Sequence, residues 1–243
     1  MSALQHSPTG GGPARPTYAQ DWAAYNQAQT HEKELVAQML HSLCSVIENP
    51  PYRRGRPRLP LADGVFAAVM KVYSGASGRR TMTDIREYEA RGFIDSAVHY
   101  NRIFEQLENP AVTHILKAMI EESARPLREI ESDFAVDSSG FSTRVYRRWY
   151  DAKYGRERTS GEYVKAHVMV GTTTNVVTSV EVTPASISDY QMFSPLVEST
   201  VARFDVARVS ADKAYSGRGN LALVDSAGAV PYIPFRSNAK PTG

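Results

Sequence analysis

Two short segments, Phe134-Ala-Val-Asp-Ser-Ser-Gly140 and Val209-Ser-Ala-Asp-Lys-Ala-Tyr215, decide how this chain of 243 residues is expected to fold. Each begins with a short apolar run and reaches an aspartate, Asp137 or Asp212, where that run ends. Short apolar runs bounded by polar or glycine-containing stretches are typical of β-strands. A carboxylate at the end of such a strand can leave the sheet edge and bind a metal ion. Asp137 and Asp212 are therefore candidate metal ligands.

The residues around these segments predict an α/β domain with a mixed sheet over 132–243. Residues 163–170 and 176–182 are β-branched runs separated by a turn-like stretch, which indicates a hairpin. The elements expected after the hairpin are a helix over 188–203, a strand over 206–211, a helix over 216–226 and a strand over 230–235. A ribonuclease H-like domain would show this order of elements. In that fold the first and fourth strands are neighbours, so Asp137 and Asp212 could face one another across a metal.

The first half of the chain has a helical pattern instead. Residues 1–20 are rich in Pro, Gly, Ser and Thr and are expected to be a disordered lead. Residues 21–131 are expected to form an all-helical module. The first expected helix covers 21–48, is capped by Asp21, and has Leu35, Met39, Leu43 and Val46 at helical spacing.

The pattern continues with an apolar stripe over 61–73 and with a capping box of Thr81 and Asp84, which opens a helix that ends at Gly92. Two more helices are expected, one over 94–107 with Val98, Ile103, Phe104 and Leu107 facing inward, and one from Pro110 to Ile120.

Composition excludes some classes of protein and leaves others open. The net charge is +2, so the overall charge does not indicate a nucleic-acid-binding protein. A single cysteine, Cys44, excludes an internal disulfide framework and a Cys-rich zinc site, and we expect it to be a buried apolar side chain. The sequence has no apolar run of signal-peptide or membrane-spanning type, so a cytoplasmic, nucleoid-associated protein without a membrane partner is expected.

The aspartate segments resemble a known family. Asp137-Ser-Ser-Gly140 and Asp212-Lys-Ala-Tyr-Ser-Gly217 are similar to the first two acidic positions of bacterial insertion-sequence transposases of the DDE type, and Phe235-Arg-Ser-Asn-Ala-Lys240 resembles a later family segment. The resemblance covers roughly residues 55–240. It implies a ribonuclease H-like catalytic domain preceded by an all-helical DNA-binding module.

The resemblance also implies the chemistry of the site. Asp137 would bridge two Mg²⁺ or Mn²⁺ ions about 3.5–4 Å apart, and Asp212 would bind one of them. The family's third acidic residue is a glutamate on a later helix, but residues 213–243 contain no glutamate. Asp225, the only acidic residue in that stretch after Asp212, lacks the family context. We therefore expect a domain truncated before its third acidic residue, with catalysis severely impaired.

Three further side chains near the expected site have alternative interpretations. Tyr215 matches a hydroxylated aromatic residue common in the family, and a packing role is equally compatible with its position. His167 lies in a predicted strand, where a hydrogen-bonded core histidine is more common than a metal ligand. Asp189 is explained by the preference for acidic residues in the first turn of a helix.

Two basic stretches are candidates for DNA contact. Residues 52–58 form a basic linker that resembles the core of an AT-hook, whose arginines lie in a narrow minor groove. Residues 144–158 combine cations with aromatic side chains that could follow phosphates and stack on bases. A solvated linker and a solvated loop are the alternatives. The candidate DNA-binding residues are Arg53, Arg54, Arg56, Arg58, Arg144, Arg147, Arg148, Trp149, Lys153, Arg156 and Arg158.

The resemblance implies transposition of an insertion sequence. Its partners would be double-stranded DNA, as terminal inverted repeats and target, and further copies of the chain in an active homo-oligomer. Two other hypotheses stay open. One is a catalytically inactive DNA-binding remnant or regulator of transposition. The other is an unrelated ribonuclease H-like nuclease that cuts without preference for inverted repeats.

Overall fold

A computed structural model describes residues 21–51, 54, 59–142 and 163–237. The disordered lead expected over 1–20 lies outside these residues. Within them the helices are α1 (Trp22–Cys44), α2 (Leu61–Ser74), α3 (Gly78–Ala90), α4 (Tyr100–Glu108), α5 (Pro110–Ala124), α6 (Asp189–Val201) and α7 (Arg218–Ser226). The strands are β1 (Asp133–Ser142), β2 (Tyr163–Gly171), β3 (Val177–Pro184), β4 (Arg208–Ala211) and β5 (Val230–Tyr232). No helix of the described residues is long and apolar enough to cross a membrane.

Helices α1–α5 pack around a core of their own. The side chain of Asp21 accepts a hydrogen bond from the N–H of Ala24 at 3.0 Å, which confirms the expected cap of α1. Asn109 caps α5 in the same way, and Pro110 occupies the first helical position, where a missing N–H costs nothing. Phe66 and Tyr88 meet edge to face in the centre of this core. Capping and apolar periodicity therefore account for most of the helical half.

The buried face of α1 differs from the expected one. Ala37, Leu40 and Cys44 are buried, as expected for Cys44, whereas Leu35 and Met39 are about half exposed. The helix also ends at Cys44 instead of continuing to 48. Periodicity identified a helix correctly, but it did not show which side of that helix meets α2.

Two other helical predictions were wrong in detail. Helix α3 begins at Gly78 with Ser77 at the cap position, so Thr81 is a buried residue inside the helix and not its cap. Residues 94–99 are not helical, and α4 begins at Tyr100 after a loop that buries Ile94 and Val98. Phe104 and Leu107 of α4 are 40% and 43% exposed instead of buried.

The second half of the chain forms a mixed five-stranded sheet in the order β3-β2-β1-β4-β5. Strands β1, β2 and β3 pair antiparallel, and β1–β4 and β4–β5 pair parallel. The hairpin and the adjacency of the first and fourth strands are as predicted. Strands β4 and β5 are shorter than predicted, and β1 continues to Ser142, past the expected end at Asp137.

A second core lies between this sheet and helices α6 and α7. Phe134, Val136 and Met169 from the sheet pack with Phe193 and Leu196 of α6. Side chains alternate along a strand, so Asp137 lies on the face of β1 opposite to Val136. The core therefore holds β1 in place while leaving Asp137 accessible.

Helix α5 connects the two cores. Val112 and Met119 belong to the helical core, and Ala124 belongs to the core of the sheet. Lys117 forms an ion pair with Glu181 of β3, and Glu121 pairs with Arg203 just after α6 at 2.7 Å. The helical half is therefore packed directly against the sheet.

Candidate active site

Asp137 and Asp212 lie side by side at one edge of the sheet. Val136 and Ala211 form the last pair of the parallel strands β1 and β4, and the two aspartates are the next residues on these strands. Neighbouring strands are about 4.8 Å apart, so both carboxylates can reach a shared pair of metal ions. Both residues are exposed. Their role as ligands stays a prediction, and the structure supplies the proximity that this role requires.

Each carboxylate is oriented by a local hydrogen bond. Oδ1 of Asp137 accepts from the N–H of Ser138 at 2.7 Å. Oδ1 of Asp212 accepts from the N–H of Ala214 at 2.7 Å and caps a single 3-10 turn over Lys213–Tyr215. Because these bonds use one oxygen of each group, the other oxygen can face a cation.

Residues 128–242 match the family model described as the transposase DDE domain. The chain carries a DDE-type transposase domain. The match includes both aspartates, all five strands and helices α6 and α7. Helices α1–α5 lie before the matched region.

One solved structure similar to the chain is the cryo-EM structure of the piggyBac transposase synaptic complex with hairpin DNA. The sequences are 9% identical, and the TM-score is 0.34. The alignment covers 84% of this chain and 48% of the other, so the chain spans about half the length of that transposase. No curated protein matches the chain.

Arg236 holds the turn of the DDE domain that follows Asp212. Its Nε donates to the carbonyl oxygen of Lys213 at 3.2 Å, and its Nη2 donates to that of Ala214 at 2.7 Å. Asn220 of α7 donates to the carbonyl oxygen of Tyr215 at 2.9 Å. Side chains therefore bind the carbonyl groups of all three residues after Asp212. No pattern in the sequence pointed to a role for Arg236, although it lies in the segment 235–240 that resembles the family.

Gly217 allows the chain to pass close to α6. A Cβ atom at this position would lie 2.5 Å from Cε2 of Tyr190, which is closer than a Cβ atom comes to another heavy atom in proteins. The φ angle of Gly217 is 178°, which any residue can adopt, so the requirement for glycine is one of space. This contact sets the path between Tyr215 and α7. The glycine of the Asp212–Gly217 segment thus has a packing role.

Tyr215 is a buried packing residue of the DDE domain. It is 1% exposed and its ring centroid lies 5.8 Å from that of Phe193. Burial raises the pKa of Tyr215 to about 12, and the negative charges of Asp189, Asp137 and Asp212 act in the same direction, against the side chain of Ser138. Among the described residues the hydroxyl has no hydrogen-bond partner of normal geometry. The phenol therefore stays neutral beside the site.

His167 is a core histidine, as the sequence favoured. It is fully buried on β2, and its Nε2 lies 2.9 Å from Oγ1 of Thr183. Its Nδ1 lies 3.6 Å from Oδ1 of Asp189, which is beyond hydrogen-bonding distance. Burial lowers the pKa of His167, and Lys165 acts in the same direction, while Asp189 and Glu181 oppose it. The imidazole is therefore neutral near pH 7.

Asp189 is the first residue of α6, in agreement with the predicted first-turn position. Nζ of Lys165 donates to Oδ1 of Asp189 at 3.0 Å and to the carbonyl oxygen of Ile187 at 3.0 Å. These bonds tie the start of α6 to β2. Asp189 is thus already engaged in the structure of the domain.

Glu131 fixes the start of β1 against the hairpin. It is 2% exposed, and its carboxylate accepts hydrogen bonds from the N–H groups of Thr173 and Thr174 in the β2–β3 turn. A Cβ atom on Gly171 would lie 2.5 Å from Cδ of Glu131. Gly171 is paired with Phe134 on β1, in the same ladder that pairs Asp137 with Val168. No pattern in the sequence pointed to a role for Glu131.

Most candidate DNA-binding residues lie outside the described part of the chain. Arg54 is described and exposed. The remaining ones, which lie outside it, are Arg53, Arg56, Arg58, Arg144, Arg147, Arg148, Trp149, Lys153, Arg156 and Arg158. Within residues 21–51, 54, 59–142 and 163–237, no group of three or more His, Cys, Asp or Glu side chains is arranged to hold a metal ion. Asp225 is exposed on α7.

Proposed function

We propose that the chain acts in DNA transposition of an insertion sequence, by binding element ends and by supplying Asp137 and Asp212 to metal-dependent strand cleavage and transfer. The placement of Asp137 and Asp212 beside each other within a transposase DDE domain is the observation that carries this proposal. The strand order β3-β2-β1-β4-β5, with β1 next to β4, supports a ribonuclease H-like fold for the domain. The partners are double-stranded DNA and other copies of the chain, and the compartment is the cytoplasm.

The residues at the sheet edge fit Mg²⁺ or Mn²⁺. Both ions prefer oxygen ligands, and Mg²⁺ uses one or two carboxylates together with water. Asp137 and Asp212 are exposed carboxylates on neighbouring strands, and the described residues next to them include no thiolate. Bound there, such ions would activate the attacking oxygen and stabilise the leaving oxygen of a phosphodiester.

The surrounding residues hold these carboxylates in a defined geometry. Asp137 is fixed by the pairing of β1 with β2 and β4. Asp212 is fixed by its bond to Ala214 and by Arg236, whose guanidinium binds the turn. Neither carboxylate forms an ion pair with another of the described residues.

Cleavage of a supercoiled plasmid that carries the element ends tests the proposal. Full-length protein with Mg²⁺ or Mn²⁺ should nick the plasmid at those ends, and EDTA should abolish the nicks. Asp137→Asn and Asp212→Asn should each abolish nicking, because the neutral amide lacks the negative charge with which a carboxylate binds Mg²⁺. Asp225→Asn is the matched control, since this exposed aspartate lies on α7, away from the strand ends. It should nick like the wild type.

Three results would contradict the proposal. Nicking that persists in both aspartate variants would exclude these carboxylates as ligands. A chain that binds the element ends without any metal-dependent nicking would instead be the DNA-binding remnant or regulator. Cleavage without preference for the element ends would favour the unrelated nuclease.

A further inference from the structure

We propose that α3 is the helix that enters the major groove of double-stranded DNA. This inference rests on the proposed function for the nature of its partner. Helices α2 and α3 are joined by the three residues Gly75–Ser77. Gly75 has a φ of +63° and ends α2 in a left-handed conformation. Two helices joined by a three-residue turn containing glycine are the pattern of the helix-turn-helix, in which the second helix reads base edges.

The buried side of α3 is settled by its contacts. Thr81, Ile85 and Tyr88 are at most 2% exposed and pack into the helical core. A Cβ atom on Gly78 would lie 2.9 Å from the ring of Phe104, so the first turn of α3 lies directly against α4. The opposite side of the helix therefore faces solvent.

That outer face is basic. Arg79, Arg80 and Arg86 are exposed on it, together with Thr83. None of the three arginines forms an ion pair or a side-chain hydrogen bond with another residue in the described part of the chain. Arginine binds guanine O6 and N7 in the major groove with two hydrogen bonds, and it also binds phosphates. The face thus combines unpaired arginines with a hydroxyl group.

The acidic residues of α3 do not cancel the positive charge of the arginines on the first two turns of the helix. Asp84 pairs with Lys33 of α1 at 3.1 Å, and Glu87 lies 3.6 Å from Arg91. Glu89 lies near the end of the helix, away from Arg79. Arg79 and Arg86 are seven residues apart, about 10 Å along the axis, which is comparable to the width of the major groove at about 12 Å.

The other helices near α3 are less suited to DNA. In α4 Arg102 is paired with Glu105, and Glu108 adds a further negative charge. In α5 the ion pairs of Lys117 and Glu121 hold the helix against the sheet domain. Among α3, α4 and α5, α3 is therefore the helix whose arginines have no ion-pair partner in the described part of the chain.

Selection from a pool of random 30-base-pair duplexes provides the DNA for a test. The full-length wild-type protein is used for selection, and binding is then measured by fluorescence anisotropy for the selected duplex and for the unselected pool. The α3 variant combines Arg79→Ala, Arg80→Ala and Arg86→Ala. The control variant removes the same charge from exposed arginines outside α3 by combining Arg102→Ala, Arg125→Ala and Arg128→Ala.

The α3 variant should bind the selected duplex at least about 30-fold more weakly, since each lost pair of base contacts costs roughly 5- to 150-fold. Its binding to the unselected pool should weaken much less, because arginines elsewhere still contact phosphates. The control variant should stay within about threefold of the wild type on both DNAs. Methylation of guanine N7 by dimethyl sulfate should be blocked at the selected site by the wild type and by the control, and not by the α3 variant.

Three outcomes would overturn the inference. They are a wild type that selects no sequence, an α3 variant that retains selected-site binding, and an equal loss of binding to both DNAs. The Asp137→Asn variant separates this inference from the proposed function. It should bind the selected duplex like the wild type but should not nick the element ends. A wild type that binds the selected duplex without metal-dependent nicking would refute the proposed function while leaving the role of α3 intact.

Discussion

The contact between Glu131 and Gly171 leads to a quantitative prediction about how β1 is held in register. Glu131→Ala removes the hydrogen bonds to the N–H groups of Thr173, at 3.4 Å, and Thr174. A hydrogen bond to a charged group contributes about 1.5–3 kcal/mol, and the longer of the two contributes less. Removing a buried carboxylate also ends its desolvation cost. We therefore expect the free energy of unfolding to fall by about 2–3 kcal/mol, a large part of a typical 5–15 kcal/mol.

The same contact makes the effect of Gly171→Ala depend on whether Glu131 is present. A Cβ atom on Gly171 would lie 2.5 Å from Cδ and 2.7 Å from Oε2 of Glu131, so Gly171→Ala should force the glutamate out of its site. It should cost about as much as Glu131→Ala in the wild-type background, since it breaks the same hydrogen bonds. In the Glu131→Ala background the clash is absent, and Gly171→Ala should cost less than about 1 kcal/mol.

Urea unfolding of the wild type, Glu131→Ala, Gly171→Ala and the double variant, followed by circular dichroism, measures the coupling between the two substitutions. Glu129→Ala is the control, since Glu129 is an exposed glutamate two residues before Glu131. It should change the free energy of unfolding by less than about 0.5 kcal/mol. The reasoning fails if Glu131→Ala is no more destabilising than Glu129→Ala. It also fails if Gly171→Ala costs the same in both backgrounds.

Three other predictions concern the surroundings of the site. Arg236→Ala should raise amide hydrogen exchange in the turn over 213–216 about fivefold, the effect of losing roughly 1 kcal/mol, and unchanged exchange would contradict its role in holding the turn. Gly217→Ala should cost about 1–3 kcal/mol in urea unfolding because its Cβ meets an aromatic ring, whereas Gly140→Ala, with no atom within 4 Å, should be nearly neutral. The pKa of His167 is lowered in the folded state, so the unfolded chain binds more protons than the folded chain at acidic pH. The free energy of unfolding should therefore fall as the pH drops below about 6.5, by at most about 1.4 kcal/mol per pH unit. His167→Gln should lessen this dependence on pH.

The sequence was sufficient to place the two aspartates, because their positions depend on local patterns. Apolar runs that end at Asp137 and Asp212 identify strands, and the order of elements indicates that these strands are neighbours. The DDE-type transposase domain was also identified from these segments, and the family model that matches residues 128–242 confirms it.

The contacts that hold the site could not be predicted in the same way. Arg236 binds carbonyl groups 22 and 23 residues earlier in the chain, and Glu131 binds a turn more than 40 residues later. Neither contact leaves a periodic signal in the sequence. The exposed side of α1, with Leu35 and Met39, was misjudged for a related reason. Helical spacing shows that a face is apolar, but it does not show which face meets a neighbour.

The packing of α5 in both cores has a consequence for where the DNA would be cut. Because α5 packs against the helical core and against β3 and α6, it would hold the bases that α3 is proposed to bind at a fixed distance from the carboxylates at the sheet edge. A fixed distance would select for cleavage one phosphodiester that lies a constant number of base pairs from the recognised sequence. Inserting base pairs between the two points would then move the cut relative to the element's end by the same number.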